Sequence, residues 1–431
     1  MSTTQDTFHL IVNPVSGHGK GEEFANQTII PILKHLSIPH EIHTTTSPGD
    51  AGNIAKTMLS SQNEKEGAVI VGIVGGDGTF HEFMEGVSSQ EVRWEVVLFP
   101  YGTANALYSS LFPPSSTLSN QSLINILPST LSLPEETLYT LSSFFFFLSK
   151  FIPVYLPITK TVLSSSSQPG AIEELHSHVV LSTSLHAAIL EDSERLRATH
   201  PSTERFKIAA QENASKLFYA NVTLHSEGEG GMVDQWDAKK GDWVKPYTIP
   251  DSTEKSIRVN GPFSYFLSTS TVDRLEPSFV ISPLTTLKPT KPNDQPYIYI
   301  TIIRPSRDPL ITSATPSERK EVMSKRAFEV VGNAYSNGNH VNLTFPPREK
   351  EGYVLEIKGE GEPVVEVFRC TSFEWQPVIT LGGIGGLEGL EKGNARLVCA
   401  DGALHVIPEG GVARVGLEEK KEDGKGFYVF A

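Results

Sequence analysis

Apolar residues in the first hundred positions fall into short runs separated by stretches of helical spacing. Phe8–Val12 reads as a buried strand, and Glu41–Thr44, Ala68–Val74 and Val96–Phe99 read as three more. The run Ala68–Val74 is apolar throughout, as a strand covered on both faces requires. Between the first two strands, Ile29, Ile32, Leu33 and Leu36 stand at i, i+3, i+4 and i+7 and predict a helix, which Pro31 kinks or delays. Ala51, Ile54, Ala55, Met58 and Leu59 predict a second helix, with Asp50 placed to cap it, and Glu82–Val87 a third. Strand and helix in alternation imply a parallel sheet with helices on both faces.

Beyond residue 150 the pattern changes to many short apolar runs bounded by turn residues. Val154–Val162, His178–Thr183, Leu217–Leu224, Phe263–Ser268, Tyr297–Ile303, Tyr353–Lys358, Val364–Phe368, Arg396–Cys399 and Leu404–Ile407 are strand candidates, and together they suggest an antiparallel sandwich. The expected organisation is an α/β domain over 1–112, a Ser-, Leu- and Pro-rich crossing over 113–150, and a β-rich domain over 151–431, with the extreme C-terminus a candidate to return to the first domain. Glu227–Pro250 and Glu418–Gly426 carry no period and read as mobile loops. The apolar stretch Leu141–Leu163 holds Lys150, Pro153 and Pro157, which favours a buried helix end leading into a strand over a membrane span. A membrane-touching hairpin is the third reading of it.

Composition narrows the function classes. A chain of 431 residues favours two domains. A net charge of -14 argues against nucleic acid as the main partner, since phosphate backbones need a basic surface. Only Cys370 and Cys399 are present, without a CxxC pair, so neither a disulfide framework nor a structural zinc site is expected. Met1–Thr7 is polar and does not read as a signal peptide. A cytoplasmic protein, with peripheral membrane contact through a local patch, is the expectation.

Three glycine-containing loops carry the candidate chemistry. Val74-Gly75-Gly76-Asp77-Gly78-Thr79-Phe80-His81-Glu82 follows a buried strand and opens a helix. Glycines let a backbone approach a ligand closely, and N–H groups at a helix start favour anions. An aspartate there suits phosphoryl transfer, which needs a carboxylate beside the nucleotide and its divalent ion. The alternative is a tight β–α turn with Asp77 as its cap. Asn13-Pro14-Val15-Ser16-Gly17-His18-Gly19-Lys20-Gly21 follows the first strand, and Pro100-Tyr101-Gly102-Thr103-Ala104-Asn105-Ala106 follows the fourth. In open parallel sheets ligands bind beyond the carboxyl ends of the strands, where all three loops fall.

In order and spacing these motifs resemble the catalytic domain of diacylglycerol kinases and sphingosine kinases over about residues 8–110. The resemblance implies an NAD kinase-like and diacylglycerol kinase-like α/β fold, with ATP and Mg2+ as cofactors and a lipid substrate. It places Asn13, Ser16, Gly17, Thr45, Gly75, Gly76, Gly78, Thr79 and Thr103 around the nucleotide. Asp77 would take or orient the proton of the lipid hydroxyl, with Glu82 in support. The segment Glu191-Asp192-Ser193-Glu194-Arg195-Leu196-Arg197, with Arg205-Phe206 after it, is similar to a sphingosine kinase segment. By that likeness Arg197 and Arg205 would hold phosphates as bidentate donors. Read without it, the run is a solvated helix face.

Two positions depart from the family pattern. The aspartate that meets the lipid head group falls on Leu190, so Glu191 or Asp192 would have to substitute. Ala400-Asp401-Gly402-Ala403 matches a family Asp-Gly-Glu motif with alanine in place of the glutamate. Asp294-Gln295 also stands where an Asp-Gly pair is expected. The leading expectation is a kinase acting on the primary hydroxyl of a sphingoid base or a diacylglycerol-type lipid. The others are a catalytically impaired pseudokinase that binds nucleotide or lipid, and an NAD kinase-like enzyme.

Overall fold

The computed structural model describes residues 7–61, 67–87, 92–114, 127, 133–165, 171–202, 204–226, 233–246, 256–286, 296–347, 353–378, 387–421 and 423–431. The chain divides into two compact units. The first is Met1–Pro157 with Leu275–Pro277 and Glu418–Ala431; the second is Ile158–Arg274 with Ser278–Leu417. Asp294 and Gln295 lie outside the described residues.

The first unit is built on β1 (Phe8–Val12), β2 (His40–Thr44), β3 (Ala68–Gly75) and β4 (Arg93–Pro100), which run parallel in the order β2-β1-β3-β4. Val12 pairs with both Thr44 and Val74, and Gly75 with Pro100, so four strands end at one edge. Gly426–Val429 adds a fifth parallel strand beside β4, and Val154–Tyr155 closes the sheet antiparallel to it.

Alternation along β4 divides the two faces of this sheet. Val97 and Phe99 join one cluster with Phe8, Leu10, Phe24, Ile29 and Phe144. Trp94 faces the other way and meets Phe83 edge-on at 5.1 Å, and Phe80 and Phe83 both meet Phe427. Helices therefore cover both faces. They are α1 (Ser16–Phe24) and α2 (Ile30–His35) on the first, and α3 (Asp50–Ser61) and α4 (Asp77–Gly86) on the second.

The first helix begins at Ser16, inside the glycine-rich stretch, well before the apolar periodicity starts. Between α1 and α2, Ala25–Ile29 is π-helical. A widened turn is where a helix can absorb a residue without an N–H, and Pro31 follows directly in the first turn of α2. Helices α3 and α4 approach until a Cβ on Gly86 would lie 2.4 Å from the Gly52 Cα.

After β4 come α5 (Ala106–Leu111), α6 (Glu135–Thr140) and α7 (Ser142–Leu148). The four-phenylalanine run lies on α7 and covers the sheet: Phe144 is fully buried, Phe145 nearly so, and Phe144 meets the rings of Phe8 and Phe99. Ser143 ties the same helix to β4 and to the residue that follows Gly426–Val429, accepting from Leu98 N at 3.1 Å and donating to Phe430 O at 2.8 Å. Among the described residues no helix is long and apolar enough to cross a membrane. The expected strand Val154–Val162 is split. Val154–Tyr155 belongs to the first unit and Thr159–Ser164 to the second, with Pro157 between them at the boundary.

The second unit is a sandwich of an eight-stranded and a six-stranded sheet, antiparallel throughout. Phe266, Ile300 and Phe368 of one sheet meet Val222, Phe373 and Trp375 of the other in a common core. Part of the expected loop Glu227–Pro250 is an antiparallel hairpin, Asp234–Asp237 with Asp242–Val244. It is held by edge-on contact of Trp236 with Trp243 and by the Arg369 guanidinium over Trp243.

Candidate active site

Three loops converge where β1, β3 and β4 end. Asn13 N donates to Val74 O at 3.0 Å and Tyr101 N to Gly75 O at 2.9 Å, which carries the sheet ladder into the loops. On the other side Thr45 N donates to Val12 O at 2.9 Å. The strand order reverses between β1 and β3, and this is the switch point at which open parallel sheets leave a crevice for ligands. Asn13, Thr45, Gly75, Gly76, Thr79 and Thr103 are thus brought to one edge.

Side chains lock these loops together. Asn13 Nδ2 donates to Thr79 Oγ1 at 3.0 Å, joining the first loop to the start of α4. Ser16 Oγ donates to Asn13 O at 2.7 Å. Gly17 adopts φ +59°, and a Cβ there would lie 2.9 Å from the Tyr101 ring. Tyr101 stacks on Phe24 at 4.5 Å, and burial, with Glu23 adding to it, pushes its hydroxyl up to about 12. Gly78, in the first turn of α4, meets no other atoms where its Cβ would be.

Asp77 is held from α5. Its carboxylate accepts from Ala106 N at 2.7 Å and Leu107 N at 3.1 Å. Those donors are free of intrahelical partners because they open a helix. Asn105 sets this up: it sits in the left-handed region at φ 51°, accepts from Gly102 N at 2.7 Å and donates to Gly102 O at 3.0 Å. A small cavity is lined by Gly75, Gly76, Asp77, Phe80, Asn105 and Tyr108. Glu82 lies five residues further along α4, about 140° around the helix axis from Asp77. Tyr101 and Asn105 were given no role on sequence grounds. Asn105 was the more visible of the two, since asparagine is enriched where φ is positive.

In the second unit the charged run lies on α8 (Ser184–Leu196) and α9 (Glu204–Asn213). Asp192 accepts from Asn213 Nδ2 at 2.7 Å and Arg195 Nε at 3.2 Å. Burial acts to raise the Asp192 carboxyl, but these hydrogen bonds outweigh it and hold the group below its ordinary value. Arg197 donates to Glu194 at 2.6 Å, one turn back on the surface. Arg205 donates to the carbonyls of Pro201 and Ser202, both at 3.1 Å, and lies over the Phe206 ring.

The two departures have structural reasons. Leu190 packs with Ala187, Leu397 and Cys399, anchoring α8 to the hairpin beneath it. Ala403 pairs with Ala400 across the turn Asp401-Gly402, both of positive φ, the geometry that an Asp-Gly hairpin favours. The Asp401 carboxylate accepts from the backbone N–H groups of His178, Val179 and Val180 at 2.8–2.9 Å and lies 2.7 Å from His178 Nδ1.

The first unit is thus a parallel sheet with an aspartate pinned among three glycine-containing loops at its carboxyl edge. The diacylglycerol kinase catalytic domain matches residues 7–130, the stretch that holds all three glycine-containing loops. The chain is similar to sphingoid long-chain bases kinase 1 of Arabidopsis thaliana, at 33% identity over 97 residues, 22% of this chain and 12% of that protein. It is also similar to sphingosine kinase 1 of Caenorhabditis elegans, at 31% identity over 119 residues, 26% of this chain and 24% of that protein. The matched stretch therefore spans less than a quarter of either relative. Among solved structures, a diacylglycerol kinase from Bacillus anthracis str. Sterne aligns over 100% of this chain and 98% of its own, at 11% identity and a TM-score of 0.47. Yeast NADH kinase aligns over 100% of this chain and 84% of its own, at 10% identity and a TM-score of 0.37.

Proposed function

We propose that the chain is an ATP-dependent lipid kinase whose first acceptor is the primary hydroxyl of a sphingoid base, with diacylglycerol and ceramide next. The observation that carries this reading is the Asp77 carboxylate, fixed by Ala106 N and Leu107 N amid three loops at the strand ends. In this reading the first unit binds the nucleotide and the second the lipid. Asn13, Ser16, Gly17, Thr45, Gly75, Gly76, Gly78, Thr79 and Thr103 surround ATP. The open space at Gly78 supports close approach of phosphates to the start of α4, where backbone N–H groups favour anions.

The acceptor oxygen attacks the γ-phosphorus, the bond from that phosphorus to the ADP oxygen breaks, and the hydroxyl proton passes to Asp77 or through it to water. Asp77 holds its place because its carboxylate accepts from Ala106 N and Leu107 N. That same oxygen chemistry suits Mg2+, which when bound would neutralise phosphate charge. Arg197, whose exposed side chain engages its helix neighbour Glu194, would exchange that carboxylate for a phosphate, and Arg205 would join it. Glu82 supports Asp77 from the same helix, and Asp192 meets the polar head of the lipid. The acceptor is presented at a membrane surface, for which Phe151 and Ile152, 56% and 86% exposed, supply apolar contact.

A second reading, a pseudokinase, rests on one observation: Ala403 offers no acceptor, and the neighbouring Asp401 carboxylate is engaged by three backbone N–H groups. The test is phosphate transfer from labelled Mg-ATP to sphingosine, diacylglycerol and ceramide in mixed micelles, with Asp77→Asn as control. Phospholipid product that disappears in the variant supports the kinase. Undiminished turnover in Asp77→Asn sinks it, and ATP binding without product on any lipid selects the pseudokinase.

A further inference from the structure

His9, Glu41 and His43 bring three metal-type donors together on the first unit, at a place the phosphotransfer reading does not use. His9 on β1 pairs in register with Glu41 on β2, and His43 follows two residues later. Side chains two apart on a strand share a face, so all three project from the same side. Their donor atoms are close. His9 Nδ1 lies 3.3 Å from His43 Nε2 and 3.6 Å from Glu41 Oε2, and His43 Nε2 lies 3.9 Å from that oxygen.

One of those separations already matches the edge of a metal polyhedron, and the other two are about 0.2–0.6 Å longer. Bonds of about 2.0–2.1 Å to a tetrahedral ion put ligand atoms about 3.3–3.4 Å apart. The histidine pair already meets that spacing, and small rotations of the outer carboxylate would bring the other two edges to it. Glu41 is the exposed member, with a side chain 62% exposed against 13% for His9 and 26% for His43. His9 is fixed in place because its neighbours Phe8 and Leu10 are fully buried on the opposite face. The cluster is thus a largely buried imidazole pair with an exposed carboxylate and an open path to solvent.

We propose that His9, Glu41 and His43 form a divalent transition-metal site that takes Zn2+, with water as the fourth ligand. Two imidazole nitrogens and one carboxylate are the donors zinc accepts, whereas Mg2+ takes oxygen ligands, so this site is distinct from any that serves ATP. Its place gives it a consequence. Among the described residues, strand β2 is the outer strand of its sheet, with β1 beside it. A bound ion would clip β2 to β1 one residue before Thr44, and Thr45 begins the adjoining loop at the strand ends. With no ion, the same atoms would form a plain imidazole–imidazole hydrogen bond and leave Glu41 to water.

The test is zinc titration of the full chain against a chromophoric chelator, comparing wild type with His43→Gln and Glu41→Gln. Wild type is expected to hold one more equivalent of Zn2+ than His43→Gln, and Zn2+ to raise its urea midpoint but not that of the variant. Glu41→Gln alters only an exposed side chain, so it folds, and it is expected to weaken that equivalent at least about tenfold. A large excess of Mg2+ should leave the bound Zn2+ in place. Equal zinc stoichiometry and affinity in wild type and Glu41→Gln would overturn the proposal, whatever the lipid assay shows.

Discussion

Gly76 and Gly102 meet backbone to backbone: a Cβ on Gly102 would lie 2.3 Å from the Gly76 Cα, and one on Gly76 would lie 2.6 Å from the Gly102 Cα. Neither neighbour can swing aside as a long side chain would. Gly102→Ala is therefore expected to push the third loop away from α4 at about 1–3 kcal/mol of stability. It should also displace Ala106 and Leu107 from Asp77. A urea midpoint and an ATP affinity measured on the variant check this, and unchanged values for both would contradict the packing described.

Gly78→Ala separates ligand contact from folding. The position is helical and its Cβ would meet nothing, so alanine should leave the fold intact or add about 1 kcal/mol. ATP binding should nonetheless weaken, because the methyl group stands where phosphates approach. Thermal melting beside ATP titration reads both effects. Stabilisation with undiminished affinity would place the nucleotide elsewhere.

Phe151→Asp with Ile152→Asp removes two of the most exposed large apolar side chains among the described residues. Sedimentation with anionic lipid vesicles should show weaker association than wild type, while phosphate transfer to a short-chain, water-soluble acceptor stays the same. Equal vesicle binding would remove this loop from the membrane reading.

The pH dependence of stability has a defined source in His340, which is 1% exposed. Burial pushes its imidazole from 6.5 down to about 4, against a small opposing effect of its hydrogen bond to Ile281 O at 3.0 Å. The unfolded chain binds this proton below about pH 6.5 and the folded chain only below about 4. Stability is therefore full above 6.5 and falls as pH drops toward 4, by at most about 3 kcal/mol from this group. Urea midpoints from pH 7 to 4 should fall less steeply in His340→Gln than in wild type.

Strands β1, β3 and β4 were legible because each carries a compact apolar run, whereas β2 is largely polar, and the three loops because glycine and asparagine mark the strand ends. Other elements were hidden by the chemistry that makes them. The helix Arg319–Gly332 buries Arg319, Met323, Arg326 and Val330, so half of its inward positions read as polar. Arg326 is satisfied by Asp308 at 2.8 Å and Arg319 by the carbonyls of Ile311, Ala314 and Glu388, partners far away in sequence or unmarked by it. The early start of α1 was masked by glycines that cost helix propensity. Tertiary crowding favours one of them, since a Cβ on Gly21 would lie 2.6 Å from Ser16 Oγ. The Asp192–Arg197 run showed its charges but not that Asn213 and Glu194 already engage them.

The strand Gly426–Val429 lies against β4, registered with Arg93–Val96. A ribosome making this chain thus releases β4 long before its neighbour exists, with all of 158–417 still to be synthesised. Throughout that interval the nascent sheet carries a bare edge of unpaired N–H and C=O groups beside Trp94 and Phe99, an invitation to pair with another chain. Dependence on chaperones during synthesis, and aggregation on loss of the final residues, follow from the order in which the sheet is assembled.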